Sequence, residues 1–318
     1  MHLHTDKLFD VVALGEGMVE FNQTLPGQPQ YLQGFGGDTS NAVIAAARAG
    51  ARTSYVSAVG DDSFGQLLVQ LWRSNKVDIA QTTIESIALT GLYFVTHGET
   101  GHAFSYRRAG SAAAQMVLTD AQLQHIAQAK ILHLSGISLA ISPNAQAQCL
   151  RAMAAAHAAG TLVSFDSNLR LKLWSLQAAR SAMTAVIAMS DIFLPSLDDV
   201  TALSGLQQPE AIVQWAHALG VKTVVLKMGA DGVLISSPES QQHLPALRVA
   251  ALDATGAGDC FAGNFLARLC LGDDTEQAAR YANAAAALAV QGFGAVAPLP
   301  KPDAVYRLLQ AARDSRLR

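Results

Sequence analysis

The segment DATGAGDCFAG, residues 253–263, combines a glycine turn with a carboxylate. Gly256, Ala257 and Gly258 precede Asp259, and an apolar, Ala-rich stretch typical of a helix follows. Glycines before a helix let backbone N–H groups converge on an anion, and the helix N-terminus adds about half a positive charge. A carboxylate here would repel a bound phosphate, but it could take the proton of a hydroxyl that attacks a phosphorus held by those N–H groups. The pattern is therefore consistent with phosphoryl transfer, although this motif taken alone favours a capped helix start.

A second glycine turn, in the segment GFGGDTSNAVIAAARAG at residues 34–50, also precedes a helical pattern. The pair Gly36-Gly37 predicts a turn with a close backbone approach, and Asp38 is one of three residues that could cap the helix. Asn41 would lie at the same end of that helix. Taken alone, this segment is also consistent with a well-capped helix that binds no ligand.

The composition limits the partners of the chain. Half of its 318 residues are hydrophobic, and no repeat or low-complexity linker divides it, which predicts a single domain over residues 1–318. The net charge of −3 and the absence of a basic block argue against a nucleic acid partner. Apolar runs such as Ala284–Val290 are far shorter than the roughly 18 residues of a membrane-spanning helix, and the N-terminus lacks a signal-peptide core. We therefore expect a cytoplasmic protein with no membrane partner.

The apolar pattern predicts an α/β fold. Short β-like runs alternate with Ala-rich helical stretches, which is typical of parallel βαβ units in a three-layer α/β/α body with a mainly parallel central sheet. The predicted strands are Val11–Leu14, Thr53–Ala58, Ile131–Leu134, Leu162–Asp166, Ile192–Leu194, Thr223–Lys227 and Val233–Ile235. The predicted helices are Thr39–Ala49, Phe64–Asn75, Pro143–Ala159, Ser175–Met189, Glu210–Leu219 and Gly256–Leu269.

Two segments break this alternation, at about residues 17–37 and 91–108. Phe21–Phe35 is polar and turn-rich, whereas Leu92–Thr96 and Ala103–Arg107 have the pattern of two strands around a turn. We expect both segments to form a small β-sheet lid on the α/β body.

The two glycine motifs, in this order and nearly a chain length apart, resemble the two signature motifs of the PfkB, or ribokinase-like, family of carbohydrate kinases. Three further segments are similar to parts of that family: Leu194–Gly205 to its NxxE-type segment, Val224–Gly232 to its strand and turn beside the nucleotide, and Tyr281–Val290 to its helix beside the adenine. The resemblance covers essentially the whole chain. It implies a sugar kinase with a ribokinase-like body and a β lid, in agreement with the apolar pattern.

The resemblance also implies roles for individual residues. Asp259 is implied as the general base, which takes the proton of a sugar hydroxyl as its oxygen attacks the γ-phosphate of ATP. The backbone N–H groups of Gly256, Ala257 and Gly258 are implied as the anion hole. The residues implied for the nucleotide site are Lys227, Gly229, Gly232, Gly256, Gly258, Asn168, Arg170 and, near the adenine or ribose, Asn283.

Magnesium is implied together with ATP, because the charge of the triphosphate needs neutralising. The family usually has Asn and Glu at the ends of the NxxE-type segment, whereas this chain has Ser196 and Asp199. Asp199 could still act on a Mg²⁺ ion through water, and Ser196 keeps hydrogen bonding without the amide. The segment Gly292–Ala297 has an irregular pattern that could bind a monovalent cation such as K⁺.

Arginines in the expected lid and after a central strand indicate an anionic substrate. The guanidinium fork matches a carboxylate in a bidentate way, whereas a neutral sugar needs mostly Asp, Asn and Gly. Side chains alternate along a strand, so Tyr106 and Arg108 share a face while Arg107 points away. Arg170 follows a strand end, and its spacing alone also fits a place beside the triphosphate.

The segments GEGMVEF, GLYF, YRRAGSAA and FDSNLRLKLW are similar to the 2-keto-3-deoxygluconate kinase branch of the family. This similarity implies ATP-dependent phosphorylation of the terminal hydroxyl of 2-dehydro-3-deoxy-D-gluconate. A neutral-ketose kinase such as a fructokinase and an inactive sugar sensor are the alternatives. The lid implies a homodimer, since exposed hairpin edges favour pairing between subunits. The residues implied for the sugar acid are Gly34 (through its backbone), Tyr93, Tyr106, Arg108, Asn168, Arg170 and Asp259.

Overall fold

An eight-stranded sheet forms the centre of the computed structural model, which describes residues 6–98 and 101–316. Two smaller sheets, of four and of two strands, contain the remaining strands that the structure describes. The strands are β1 (Phe9–Leu14), β2 (Met18–Gln23), β3 (Tyr31–Gly36), β4 (Thr53–Val56), β5 (Ala58–Gly60), β6 (Thr83–Glu85), β7 (Leu92–Gly98), β8 (Gly101–Arg107), β9 (Ala129–Ser135), β10 (Leu162–Asp166), β11 (Ile192–Phe193), β12 (Thr223–Lys227), β13 (Val233–Ser236) and β14 (Gln241–Leu244).

Helices cover both faces of this sheet. None in the described ranges is long and apolar enough to cross a bilayer. The helices are α1 (Asp38–Arg48), α2 (Ser63–Ser74), α3 (Ala112–Gln115), α4 (Asp120–Ile126), α5 (Gly136–Ala140), α6 (Pro143–Ala158), α7 (Leu176–Ala188), α8 (Leu197–Ser204), α9 (Pro209–Ala218), α10 (Ala257–Cys270), α11 (Thr275–Ala289) and α12 (Pro302–Arg316).

The strand order in the central sheet is β14-β13-β12-β11-β10-β9-β1-β4. The pairs from β4 to β12 are parallel, and only β13 and β14 run antiparallel to their neighbours. The predicted three-layer body with a mainly parallel sheet is therefore confirmed. Several predicted strand ends differ by one or two residues, and the predicted strand Thr53–Ala58 divides into two, because the chain leaves the central sheet after Val56 and pairs again as β5 with β6.

The alternation of side chains along the strands builds two apolar layers. In β1, Val12 and Leu14 pack into the core that includes α6, α7 and α9, whereas Val11 and Ala13 pack on the opposite face, which α1 and α10 cover. Successive side chains of a strand point to opposite faces, so a strand buried on both faces must be apolar throughout. This is why the central strands show as short continuous apolar runs in the sequence.

The lid is a separate four-stranded sheet in the order β3-β2-β7-β8. Strand β2 pairs antiparallel with β3 and parallel with β7, and β7 pairs antiparallel with β8. The small β lid is thus confirmed, but Phe21–Phe35 contains two paired strand segments where the sequence indicated mainly turns. Residues 99–100, in the predicted β7–β8 turn, lie outside the described residues.

Helices α1 and α10 pack unusually closely, and this contact sets the site described below. A Cβ on Gly263 in α10 would lie 2.0 Å from the backbone oxygen of Ala42 in α1. Only glycine leaves room for that backbone approach. The small residues of both predicted helices therefore serve to bring the two N-termini together.

Candidate active site

Two neighbouring cavities meet at the N-terminus of α10. The first has a volume of about 690 Å³ and lies between the lid, the start of α1 and the loop that follows β10. It is lined by most of the residues predicted to bind the sugar: Tyr93, Tyr106, Arg108, Asn168, Arg170 and Asp259, with Gly256 and Gly258. Gly34 is not among the lining residues, whereas Gly36 and Gly37 are.

The second cavity has a volume of about 560 Å³ and lies on the other side of the same turn. Ala254 and Gly258 line both cavities. Asn168 and Arg170, predicted for both ligands, line only the first cavity. The predicted nucleotide-site residues that line the second cavity are Lys227, Gly229, Gly232, Gly258 and Asn283, and Ala257 joins them. The turn thus lies where a group could pass from one cavity to the other.

Asp259 is a buried carboxylate, 8% exposed, held by amides on both sides. Asn41 of α1 donates to its Oδ2 at 2.8 Å, and Asn168 lies 3.5 Å from its Oδ1. Burial raises the pKa of Asp259 to about 7, and the nearby charge of Asp38 adds to the shift while Asn41 opposes it. A carboxyl group with a pKa near neutrality is suited to accept a proton at physiological pH.

The backbone of the turn before α10 presents N–H groups to the first cavity. Gly256 caps the helix in the left-handed conformation, with φ 73°, and a Cβ there would lie 2.8 Å from the Cβ of Ala295. The N–H groups of Gly256 and Gly258 donate to no backbone oxygen among the described residues, whereas Ala257 donates to the oxygen of Ala254 at 3.1 Å. Two of the three predicted anion-hole donors are therefore not used in backbone hydrogen bonds in this conformation.

Lys227 lies at the junction of the two cavities. Its Nζ forms an ion pair of 2.5 Å with Asp166, and these side chains are 13% and 2% exposed. Burial raises the pKa of Asp166 to about 6, although the Lys227 charge opposes the shift. A Cβ on Gly258 would lie 3.4 Å from Lys227 Nζ, which places the ammonium beside the glycine turn. The lysine is thus in position to contact an anion held by that turn.

Arg108 is buried and paired, which its position in the sequence did not indicate. It forms an ion pair with Glu16, a residue in the turn after β1, and Ser111 donates to the other oxygen of Glu16 at 2.5 Å. Arg108 Nε has no acceptor within the described residues. As alternation predicted, Arg107 is exposed while Tyr106 and Arg108 line the cavity. A buried donor without a partner is costly, so Arg108 can gain from an acceptor on a ligand.

The lid residues of the site lie in one cross-strand row. The strand register pairs Glu20 with Gly34 on one side and with Tyr93 on the other, and it pairs Tyr93 with Tyr106. Tyr93 donates to Glu20 Oε2 at 2.5 Å, and both side chains are buried. Three residues predicted from the sequence thus share a row with a fourth, Glu20, that was not predicted.

Ser196 and Asp199 support the loop after β10. Ser196 caps α8 by accepting from the N–H of Asp199 at 3.3 Å. One oxygen of Asp199 accepts from the hydroxyl of Ser167 at 2.7 Å and from the N–H of Leu169 at 3.1 Å. These contacts fix the backbone that carries Asn168, which has a positive φ of 32°.

Sequence reasoning did not assign Asn41, Glu16 or Glu20 to the site. Asn41 lines the first cavity, whereas Glu16 and Glu20 contact the cavity residues Arg108 and Tyr93. Asn41 was expected only at the end of its helix. Glu16 and Glu20 could have been suspected, because two carboxylates four positions apart in the otherwise apolar stretch at residues 11–21 are unusual for a buried strand region.

The chain is similar to known proteins over nearly its whole length. Residues 8–302 match the pfkB family of carbohydrate kinases. The chain is 36% identical over 315 residues to a 2-dehydro-3-deoxygluconokinase of Thermoproteus tenax, covering 96% of each chain. It is 33% identical to a probable fructokinase-7 of Arabidopsis thaliana, covering 95% of this chain and 93% of the relative. A crystal structure of a putative ribokinase II from E. coli with ATP and Mg²⁺ superimposes with a TM-score of 0.86 at 29% identity, covering 95% of this chain and 99% of that one.

Proposed function

Because the chain belongs to the pfkB family of carbohydrate kinases, we propose that it transfers the γ-phosphoryl group of ATP to the terminal hydroxyl of 2-dehydro-3-deoxy-D-gluconate. The observation that carries the proposal is the position of Asp259 and the glycine turn at the junction of two cavities. One cavity is suited to the sugar and the other to the nucleotide, and Gly258 lines both.

The residues around the turn have separate roles in phosphoryl transfer. Asp259, as the carboxylate, accepts the proton of the terminal hydroxyl as that oxygen attacks the γ-phosphorus, and Asn41 keeps it aimed at the cavity. The N–H groups of Gly256 and Gly258 then bind the oxygens of the transferring group, whose charge is greatest in the transition state. Lys227 leaves part of its interaction with Asp166 to contact the same group.

Magnesium fits this arrangement as an ion held mainly by the triphosphate. In the ranges 6–98 and 101–316, no three His, Cys, Asp or Glu side chains are grouped closely enough to hold a metal. Mg²⁺ commonly binds through one or two carboxylates, water and substrate phosphates. We assign Asp199 a contact through water, since one of its oxygens already accepts two hydrogen bonds. The ion supplies neutralisation of the phosphate charge.

The choice of a sugar acid rests on Arg108. Its side chain lines the cavity, and its buried Nε has no partner among the described residues, which favours a substrate with an acceptor such as a carboxylate. The alternative, a neutral ketose, is favoured by Glu16, because this carboxylate already compensates the charge of Arg108. The relatives include both a 2-dehydro-3-deoxygluconokinase and a probable fructokinase, so direct assay is required.

Arg108→Lys should raise the KM for the keto acid by about 10- to 100-fold and change the KM for ATP by less than twofold. Lysine keeps the charge opposite Glu16 but loses the bidentate fork, which is worth about 1.5–3 kcal/mol. Arg107→Lys is the matched control, since that exposed side chain should leave both values unchanged. The measurement is a coupled ATP-consumption assay over acidic and neutral sugars, with Mg²⁺ and with K⁺ each omitted in turn. Faster turnover of fructose or ribose than of the keto acid by the unaltered enzyme would overturn the sugar assignment.

We also propose that the lid mediates a homodimer. The lid face opposite the Glu20–Tyr93 pair carries a ring cluster in which Phe21 stacks on Phe94 at 5.3 Å and Tyr31 meets Phe94 edge-on, and Tyr31 is 38% exposed. The molecular mass measured by sedimentation should be about twice the 33.4 kDa of one chain. Tyr31→Lys should lower this mass toward that of the monomer. Tyr306→Lys, an exposed tyrosine on α12, should have no effect. A monomeric wild-type protein contradicts the proposal.

A further inference from the structure

We propose that Glu20 is a positioning residue that holds the hydroxyl proton of Tyr93, so that Tyr93 can only accept a hydrogen bond from the bound sugar. At this point the cavity would therefore recognise a hydroxyl donor of the substrate and reject an oxygen that can only accept. The inference rests on the proposed function only in taking the first cavity as the sugar site.

The direction of the Tyr93–Glu20 hydrogen bond carries the inference. A phenol has one hydrogen to donate, whereas an ionised carboxylate can only accept. Tyr93 donates this hydrogen to Glu20 Oε2 at 2.5 Å, and both groups are buried. Burial and the neighbouring Glu20 charge raise the pKa of Tyr93 above its ordinary value, so the phenol keeps its proton. The lone pairs of the Tyr93 oxygen remain for a ligand.

The strand next to Glu20 is built to make room for this pair. A Cβ on Gly34 would lie 2.9 Å from Glu20 Oε1, and a Cβ on Gly36 would lie 2.3 Å from the Tyr93 hydroxyl oxygen. Both glycines are in β3, and neither has a positive φ, so clearance rather than backbone conformation explains them. This accounts for Gly34, which was predicted to contact the sugar but does not line the cavity.

The chemistry of the substrate then fixes its orientation. In 2-dehydro-3-deoxy-D-gluconate the carboxylate and the ketone oxygen can only accept, whereas the hydroxyls on C4, C5 and C6 can donate. The C6 hydroxyl is the one that reacts with Asp259. Tyr93 must therefore face the C4 or C5 hydroxyl, while Arg108, which lies 5.9 Å from the Tyr106 ring, faces the acceptor end.

Substrate analogues test the direction of the bond on the unaltered enzyme. The probes are the keto acid with its C4 or its C5 hydroxyl replaced by hydrogen or by fluorine, since fluorine keeps the size and some acceptor capacity but cannot donate. At one of the two positions we expect both replacements to raise the KM about tenfold and to the same extent. A fluorine analogue that binds as tightly as the natural substrate at both positions would overturn the proposal. If the keto acid itself is not turned over but fructose is, the sugar assignment fails, and the same replacements on fructose still test the bond.

Variants test whether Glu20 acts through Tyr93. Tyr93→Phe should raise the sugar KM about tenfold, leave the KM for ATP within twofold, and abolish the difference between the hydroxyl and the deoxy substrate at the recognised position. Glu20→Leu should raise the sugar KM similarly, but by less than twofold in the Tyr93→Phe background. Glu20→Gln, whose amide oxygen can still accept, should restore the KM to within about threefold. Tyr306→Phe is the control for the loss of a tyrosine hydroxyl. An effect of Glu20→Leu that is equally large with and without Tyr93 would overturn the positioning role.

Discussion

Asp259→Asn should lower kcat by a factor of about 10³ while the protein stays folded. Asparagine has the shape of aspartate and can still accept from Asn41, so the contact between α1 and α10 survives. It cannot take the proton of the attacking hydroxyl, and loss of a general base costs on the order of 10²–10⁴-fold. The measurement is kcat in the coupled assay, with circular dichroism as the check on folding. A variant that keeps more than a tenth of the activity would show that Asp259 is not the base.

The same substitution should raise the melting temperature at pH 8 by about 3 °C or more. The pKa of Asp259 is about 7 in the folded protein, against an ordinary value of 3.8. Between these values the folded state binds more protons than the unfolded state, so stability falls as pH rises through this window. The cost of the buried charge is complete above about pH 7. Asparagine removes that cost, so its advantage should be largest at pH 8 and smaller at pH 5.5.

The activity of the unaltered enzyme should also depend on pH through the ionisation of Asp259. A base must be deprotonated, so kcat/KM should be constant above about pH 7 and fall about tenfold per pH unit below it. Asp38 and Asp166 raise this pKa and Lys227 lowers it, so Lys227→Met should shift the acid limb of the profile upward. An acid limb near pH 4 in the unaltered enzyme would contradict the raised pKa.

Gly256→Ala should lower kcat by about 10²-fold. The residue has φ 73°, where a Cβ adds strain, and that Cβ would lie 2.8 Å from the Cβ and 2.9 Å from the Cα of Ala295. Because the Ala295 backbone cannot move like a flexible side chain, the turn itself must shift. Displacing one donor of an anion hole costs about 10²–10³ in kcat.

Gly205→Ala separates this clash from backbone strain alone. Gly205 caps α8 with φ 80° and ψ −1°, close to the φ 73° and ψ 5° of Gly256, but nothing lies within 4 Å of its Cβ position. It should lose about 1 kcal/mol of stability and keep full kcat. Equal kcat values for the two variants would show that the exact position of the α10 turn does not matter for the reaction.

Much of the architecture could be predicted because its determinants are local. The central strands are buried on both faces and must be apolar throughout, so Thr223–Lys227 was recognised with its observed ends. The lid was harder. Strand β3 has three exposed residues, Tyr31 to Gln33, and its pairing with β2 is what makes it a strand. A segment that is half exposed shows no apolar run, so Phe21–Phe35 indicated turns.

The residues of the glycine turn indicated its chemistry with a capped helix start as the alternative, and the prediction became specific only when both glycine motifs were taken together. The sequence by itself thus determined the class of fold and, through the resemblance of its motifs to one family, the class of reaction, and most of the residues it predicted for the sugar line the first cavity. Only the tertiary structure decided how those residues are paired: Asn41 with Asp259, 218 positions apart, Glu16 with Arg108, and Glu20 with Tyr93. Hydrogen-bond partners depend on helix approach and strand register, which arise from the packing of the whole chain. The family resemblance therefore implied Arg108 and Tyr93 for the site but left open which of their donors were free.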